Sequence, residues 1–517
     1  MTPRRDAEGL PERPPALLVR GGFVYTADAG ATVLPTGSVL VVGDRIAAVG
    51  SVAEVEAVVA GLEPGVRAGL RTVDAGRMMV LPGFVNAHWH EMFALRVPFK
   101  GALRSPDDRA DEPGFMALGG DVRRISMVFD TFQGFVEGLR EDEAEAIARY
   151  SLWTQLRSGT TTLGDVGSVN RPEALAAATL GLGLRCAVST WAADAVCAPG
   201  ESSFRRTRDA DAELARIDGV LTRAAGDPTG RLRARPTAAY VPNMSDELGA
   251  GLARLAAAYD VPFATHVGAL RHEAEVVESY YGTTPLRRLD RLGLLNDRLM
   301  AVHCAFADEE ERQSLLTAGV HISHSPAKYG ATGESTLTET GLIPELREKG
   351  LDVSLSTDGV VYPLGGMAET MRAAWQAYNE RSADNTTLVP TEALAMATRI
   401  AARGLRWDDA LGSLEPGKQA DLVLVPIDDW RYVLNSRPLE AFLTLGGSAD
   451  VDTVIVAGRV LLEAGRSTHL DEAGLQDAYL DALRSFSARR LGIPDDVLRR
   501  LFDDDPRLRR GPATGPR

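Results

Sequence analysis

The sequence predicts an α/β protein, a (β/α)8 TIM barrel carrying a small β-sandwich module built from the two ends of the chain. Three observations predict it. Apolar β-like runs alternate with helix-patterned stretches through the middle of the chain. Those runs are apolar throughout, as strands of a parallel sheet covered on both faces must be. Gly-punctuated β segments without intervening helices flank this region on either side.

Taken in order, residues 1–15 (MTPRRDAEGLPERPP) are rich in Pro, Arg and Glu and are expected to form a disordered lead. Residues 16–80 hold the short β segments LLVRGGFVYT, SVLVVGDRIAAVG and RTVDAGRMMV; residues 412–465, with GSLEPGKQADLVLVP and VDTVIVAGRVLLEAG, complete the same module. Residues 81–411 are the barrel. Its first strand ends in PGFVNAHWH, and TTTLGDV, LRCAVST, LRARPTAAYV, VPFATHVG, RLMAVHCA, GVHISHS and LDVSLSTDG supply seven more. Between them lie helical patterns such as EDEAEAIARYSLWTQLRSG and DELGAGLARLAAAYD. Residues 91–140 make an excursion longer than a structural connection needs, and 466–517 read as a charged helical tail.

Composition narrows the function classes. A hydrophobic share of 45% and a charged share of 25% are those of a soluble globular protein. No apolar run has the length that spans a bilayer, and the first residues lack the apolar core of a secretory signal. A formal net charge of −15 argues against a nucleic-acid partner, which needs a basic face. The 3 cysteines, Cys186, Cys197 and Cys304, do not make a disulfide framework, and a cytoplasmic location is expected.

The chemistry is read from the strand ends. Side chains alternate along a strand, so His88 and His90 face one side and Trp89 the other. The chain holds 8 histidines, and His266, His303, His321 and His324 also lie in apolar β-like segments. Barrel chemistry is done at the C-terminal ends of the strands. There the sequence places His88 and His90, Asp165, Tyr240, His266, His303, His324 and Asp358. Imidazole nitrogens with carboxylate oxygens are the donors of a divalent metal such as zinc or iron.

PGFVNAHWH, GTTTLGDVG, AVHC, HSP, STDG and GSLEPGKQADLV together resemble the amidohydrolase superfamily, and within it the chlorohydrolase and aminohydrolase branch of cytosine, guanine, adenosylhomocysteine and triazine deaminases. The resemblance runs from about Ala16 to Leu462. It implies that His88, His90, His266 and Asp358 hold one catalytic metal, that His303 polarises the group attacked, and that Asp358 shuttles a proton. It also implies a homo-oligomer, a dimer or larger. Binuclear members bridge their ions with a lysine from strand four; RPTAAYVPN has none, so a single metal is expected, zinc by default with iron the alternative. Such an ion brings the pKa of bound water from about 15.7 to roughly 7, which makes hydroxide available.

Two departures from the family pattern shape the expected function. The HxxE motif of the deaminases becomes His266-Val267-Gly268-Ala269, and its glutamate protonates a substrate ring nitrogen. Glu273 and His272 lie nearby, with a solvated helix face as their expected role. The HxPxSN motif becomes His324-Ser325-Pro326-Ala327-Lys328-Tyr329. His324, Lys328, Tyr329, Met92 and Phe93 are the expected substrate-binding residues, with Phe99 a further apolar contact. The expected function is hydrolysis of an amide, amidine or peptide-like C–N bond in a small-molecule or modified-peptide substrate, as in natural-product or peptide tailoring. The alternatives are deamination of a heteroaromatic amine and a non-catalytic scaffold.

Overall fold

The computed structural model describes residues 5–6, 9–91, 121–332, 337, 339–359, 366–433 and 436–502. Eight parallel strands close into a barrel. They are Phe84–Trp89; Thr160–Asp165; Arg185–Val188 continued by Trp191–Ala192; Leu232–Ala234 continued by Thr237–Ala238; Phe263–Val267; Leu299–His303; His321–His324; and Val353–Leu355. A parallel bridge between Trp89 and Asp358 joins the eighth strand to the first, and Asp358 N donates to His88 O at 3.1 Å. Closure therefore falls on the residues of the expected site.

The third and fourth strands are each broken near the middle, where Pro236 has no N–H to give a ladder. Side chains bridge the gap: Ser189 Oγ donates to Arg235 O and meets Thr237 Oγ1, both at 2.8 Å. The first two strands approach closely at Gly164, where a β-carbon would lie 2.2 Å from Ala87 O. Only glycine fits there. Helices on the outside are set by local signals, such as the Asp308–Glu311 capping box that starts Glu309–Ala318 and the Ser245 cap of Asp246–Tyr259.

Both ends of the chain build the β module. Leu422–Pro426 pairs antiparallel with Met78–Pro82, inside a nine-stranded hydrogen-bonded set that also takes strands from residues 16–74 and 453–467. Alternation along these two strands separates two cores. Val80, Leu422 and Leu424 point into the module with Leu17, Val39 and Ile455, while Met79, Leu81, Val423 and Val425 pack with barrel residues such as Phe84 and Leu156. A buried ion pair ties the two parts: Arg185 Nε to Asp421 Oδ2 at 2.9 Å, with Asp421 Oδ1 accepting from Ala457 N at 2.8 Å.

The disordered lead expected over residues 1–15 is not what the described part of it shows. Leu10 is fully buried, and Arg459 donates to Pro11 O at 2.7 Å and pairs with Asp6 at 2.6 Å. One apolar side chain and one guanidinium anchor the segment despite its polar composition. The helix Glu472–Leu491 folds back on Glu141–Arg157, with Tyr479 stacked on Tyr150 at 4.0 Å. Among the described residues no helix is long and apolar enough to cross a membrane.

Candidate metal centre

His88 and His90 leave the first strand side by side, His266 comes from the fifth and Asp358 follows the eighth. Their donor atoms lie within 4.8 Å of one another and all four side chains are buried. His90 Nε2 is 3.3 Å from His266 Nε2; Asp358 Oδ1 is 3.3 Å from His88 Nε2 and 3.1 Å from His90 Nε2. Donors held at about 2.0–2.2 Å around a tetrahedral zinc ion lie roughly 3.3–3.5 Å apart, so this spacing fits one such ion. His266 Nδ1 donates to Ala239 O at 2.6 Å, which leaves the Nε2 lone pair for a metal. Burial pulls the His88 pKa down to about 4 against Asp358, and burial likewise holds His266 well below its usual value. Both are neutral, as ligands must be.

Asp358 divides its two oxygens. Oδ1 faces the histidines; Oδ2 lies 2.8 Å from Lys328 Nζ and 3.5 Å from His303 Nε2. Although burial opposes ionisation, the Lys328 ammonium and the histidines hold its pKa well below the carboxylate range. Tyr329 OH is 2.7 Å from His303 Nδ1. Burial, reinforced by the Lys328 charge, keeps His303 neutral. A hydroxyl donating to Nδ1 leaves the ring hydrogen on Nε2, the nitrogen that faces Asp358. The backbone is left-handed at His303 (φ 74°), Cys304 (φ 47°) and Asp358 (φ 52°), all at strand ends of the site. For residues with a Cβ, such conformations cost about 1–3 kcal/mol each.

The remaining expected residues divide. Lys328 and Tyr329 reach the centre. His324 is fully buried beside Tyr329 and Tyr378, at 5.3 and 5.7 Å between ring centroids, and burial alone takes its pKa to about 3. His321 lies at the other end of the same strand, bonded to Ser354 Oγ at 2.8 Å and packed under Gly404, so it belongs to the barrel floor. Asp165 accepts from Ser189 N at 3.2 Å, and burial, partly offset by Arg235, raises its pKa to about 7. Met92, Phe93 and Phe99 lie outside the described residues.

The expected solvated role of Glu273 is corrected. Its side chain is buried and accepts from Gly268 N at 2.7 Å, Ala269 N at 2.8 Å and Tyr240 OH at 2.7 Å. A carboxylate at the first turn of a helix collects the free N–H groups of the loop before it, and here it fixes the loop that follows His266. His272 is exposed and faces Glu275 at 3.3 Å. Sequence reading also missed an aromatic wall. Phe129 of the helix Val122–Val136 stands edge-on to Trp191 (5.1 Å) and Tyr240 (5.8 Å), and Trp191 lies 5.4 Å from His90. Of these three, Tyr240 was already placed at a strand end, Phe129 lay among the apolar positions of the 91–140 excursion, and Trp191 follows the break in the third strand.

Comparison with known proteins places this geometry among relatives. A model of the Amidohydrolase family matches residues 79–461. The chain is 30% identical to the 5-methylthioadenosine/S-adenosylhomocysteine deaminase of Pelotomaculum thermopropionicum, over 90% of this chain and 98% of that protein. It is 26% identical to the 5'-deoxyadenosine deaminase of Methanopyrus kandleri, over 76% of this chain and 83% of the relative. Among solved structures, the atrazine chlorohydrolase of Arthrobacter aurescens TC1 complexed with zinc matches with a TM-score of 0.74 at 26% identity, covering 90% of this chain and 100% of that one.

Proposed function

The chain belongs to the amidohydrolase family, and from that premise we propose that it hydrolyses an amide- or amidine-type C–N bond in a small molecule, using one zinc ion held by His88, His90, His266 and Asp358. When bound, the ion supplies Lewis acidity and a water activated near neutral pH. The other work falls to the protein. Asp358 Oδ2 takes a proton from the attacking water and returns it to the leaving nitrogen. His303 hydrogen-bonds through Nε2 to the atom that gains negative charge, with Tyr329 holding the ring in that orientation.

The observation that carries this reading is Ala269. A methyl group stands where the HxxE pattern has the acid that protonates a heteroaromatic ring, and the two neighbouring candidates do not replace it. Glu273 is engaged by backbone N–H groups and Tyr240, and His272 faces solvent. Cleavage of an amide needs no ring protonation. The second reading, deamination of a purine-like amine, is supported by the names of the relatives. Those names point to nucleoside-type small molecules, and nothing in them favours a peptide-tailoring role.

Mass spectrometry of products from a panel of amides, 5'-methylthioadenosine and S-adenosylhomocysteine separates the readings by which nitrogen leaves. We expect wild-type protein to cleave amides and spare the nucleosides, and Ala269→Glu to gain weak ammonia release without improving amide cleavage. Ammonia release from the nucleosides by wild-type protein, with amides untouched, overturns the amide reading in favour of deamination.

A further inference from the structure

We infer that Asn86 is a positioning residue for Asp358: its side-chain amide, acting through Thr357, holds the turn that brings the Asp358 carboxylate to the metal. The inference rests on the metal centre proposed above and adds a group outside the ligand set on which that centre depends.

The eighth strand ends at Leu355, and the next three backbone N–H groups go to three different acceptors. Ser356 N donates to His324 O of the seventh strand at 2.9 Å, Thr357 N to Asn86 Oδ1 at 3.1 Å, and Asp358 N to His88 O at 3.1 Å. The chain thus crosses from the seventh strand to the first, and the middle acceptor is a side chain in place of a backbone carbonyl. Asn86 is fully buried in the first strand, two residues before His88. Its Nδ2 donates to Thr357 Oγ1 at 2.7 Å and to Gln155 Oε1, on the helix Glu141–Arg157, at 3.2 Å. The amide uses its oxygen and both of its hydrogens, which fixes its plane.

Asp358 has left-handed backbone, with φ at 52°. At a residue with a Cβ that conformation persists only where the surroundings over-determine it. The peptide before Asp358 is held by His88 O, and the peptide after it by Thr357 Oγ1, which donates to Asp358 O at 3.3 Å. The Thr357 hydroxyl accepts from Asn86 and donates to Asp358, so one chain of hydrogen bonds runs from Gln155 through Asn86 and Thr357 to the aspartate. Gly359 N also donates to Asp358 Oδ1, but Gly359 moves with the same turn. Asp358 Oδ1 lies 3.3 Å from His88 Nε2 and 3.1 Å from His90 Nε2, and Oδ2 lies 3.5 Å from His303 Nε2. Both oxygens hang from one Cα, so a relaxed turn displaces them together. Removing the Asn86 amide takes the acceptor from Thr357 N and lets the turn relax towards ordinary backbone angles, which carries the carboxylate away from the histidines.

The test is zinc affinity, read by competition with a chromophoric chelator, together with the visible absorption of cobalt-loaded protein, whose bands report the geometry of the donors. Neither needs a substrate. Groups that orient a metal ligand contribute roughly 10–100-fold in affinity. Asn86→Ala should weaken zinc binding by that factor and alter the cobalt bands. Thr357→Val keeps the N–H that Asn86 accepts but lacks the hydroxyl, and should fall between Asn86→Ala and wild type. Thr357→Ser restores the hydroxyl and should return both readouts to wild type. Thr357 is only partly buried, so its variants carry the test if Asn86→Ala does not fold. A merely structural Asn86 would lower the melting temperature of the metal-free protein while the folded variants keep wild-type zinc affinity and cobalt bands; that result overturns the positioning role. Failure of wild-type protein to bind zinc or cobalt overturns the metal centre instead.

Discussion

Replacing His90 by alanine removes one of three imidazole nitrogens that meet within 3.1–3.3 Å of a neighbouring donor. The effect is readable without a substrate. A metal present at about a thousand times its Kd stabilises the folded state by roughly 4.1 kcal/mol. With an unfolding entropy of about 2.1 cal/mol/K per residue over 517 residues, that corresponds to a rise in Tm of about 4 °C. Loss of a group that merely supports a metal ligand weakens affinity roughly 10–100-fold; loss of the ligand itself exceeds that. After about a thousandfold loss, the same metal concentration contributes only about 0.4 kcal/mol, less than 1 °C. The measurement is scanning calorimetry of chelator-stripped and zinc-reloaded protein, each variant referred to its own stripped form so that the cavity left by the ring cancels. His90→Ala should show a zinc-dependent shift below about 1 °C and less than one zinc per chain by elemental analysis. A variant that keeps one zinc per chain and a shift near 4 °C would refute the ligand set.

Two further outcomes are expected. Tyr329→Phe removes the hydroxyl from His303 Nδ1, a buried bond of 2.7 Å; kcat/KM should fall about 5–150-fold, the equivalent of 1–3 kcal/mol, with zinc content unchanged, and a loss under twofold would count against the orienting role. His321 has its pKa lowered to about 4 by burial, with Asp352 opposing and Arg403 assisting. Its folded value lies below the unfolded one, so the stability it contributes is present above about pH 6.5 and is lost as pH falls towards 4, by roughly 2–3 kcal/mol. Urea denaturation of His321→Gln should show a shallower loss between these pH values, and an unchanged slope would contradict it.

How much of this was legible in the sequence depends on the range of the signal. His88 and His90 declare themselves through the two-residue period of a strand, and the barrel through its alternating βα rhythm. Strand ends of a parallel barrel converge, so His266, His303 and Asp358 could be placed without contacts. Lys328 was legible as a departure from a motif but not as a partner of Asp358, because that pairing depends on how a short helix turns after the seventh strand. Glu273 was misread because its surroundings look like the first turn of a solvated helix. Only the loop folding back over it, with Gly268 at φ 57°, buries the carboxylate. Leu10 escaped notice for a similar reason: one apolar residue in a polar lead carries no period.

The left-handed backbone at His303 and Asp358 puts function and stability at odds. Glycine adopts that conformation without steric cost. Asp358→Gly and His303→Gly would relieve backbone strain at the two positions where an enzyme of this type can least spare its side chains. A selection for thermal resistance alone would then be drawn towards inactive barrels, so any effort to harden this protein has to score turnover alongside melting.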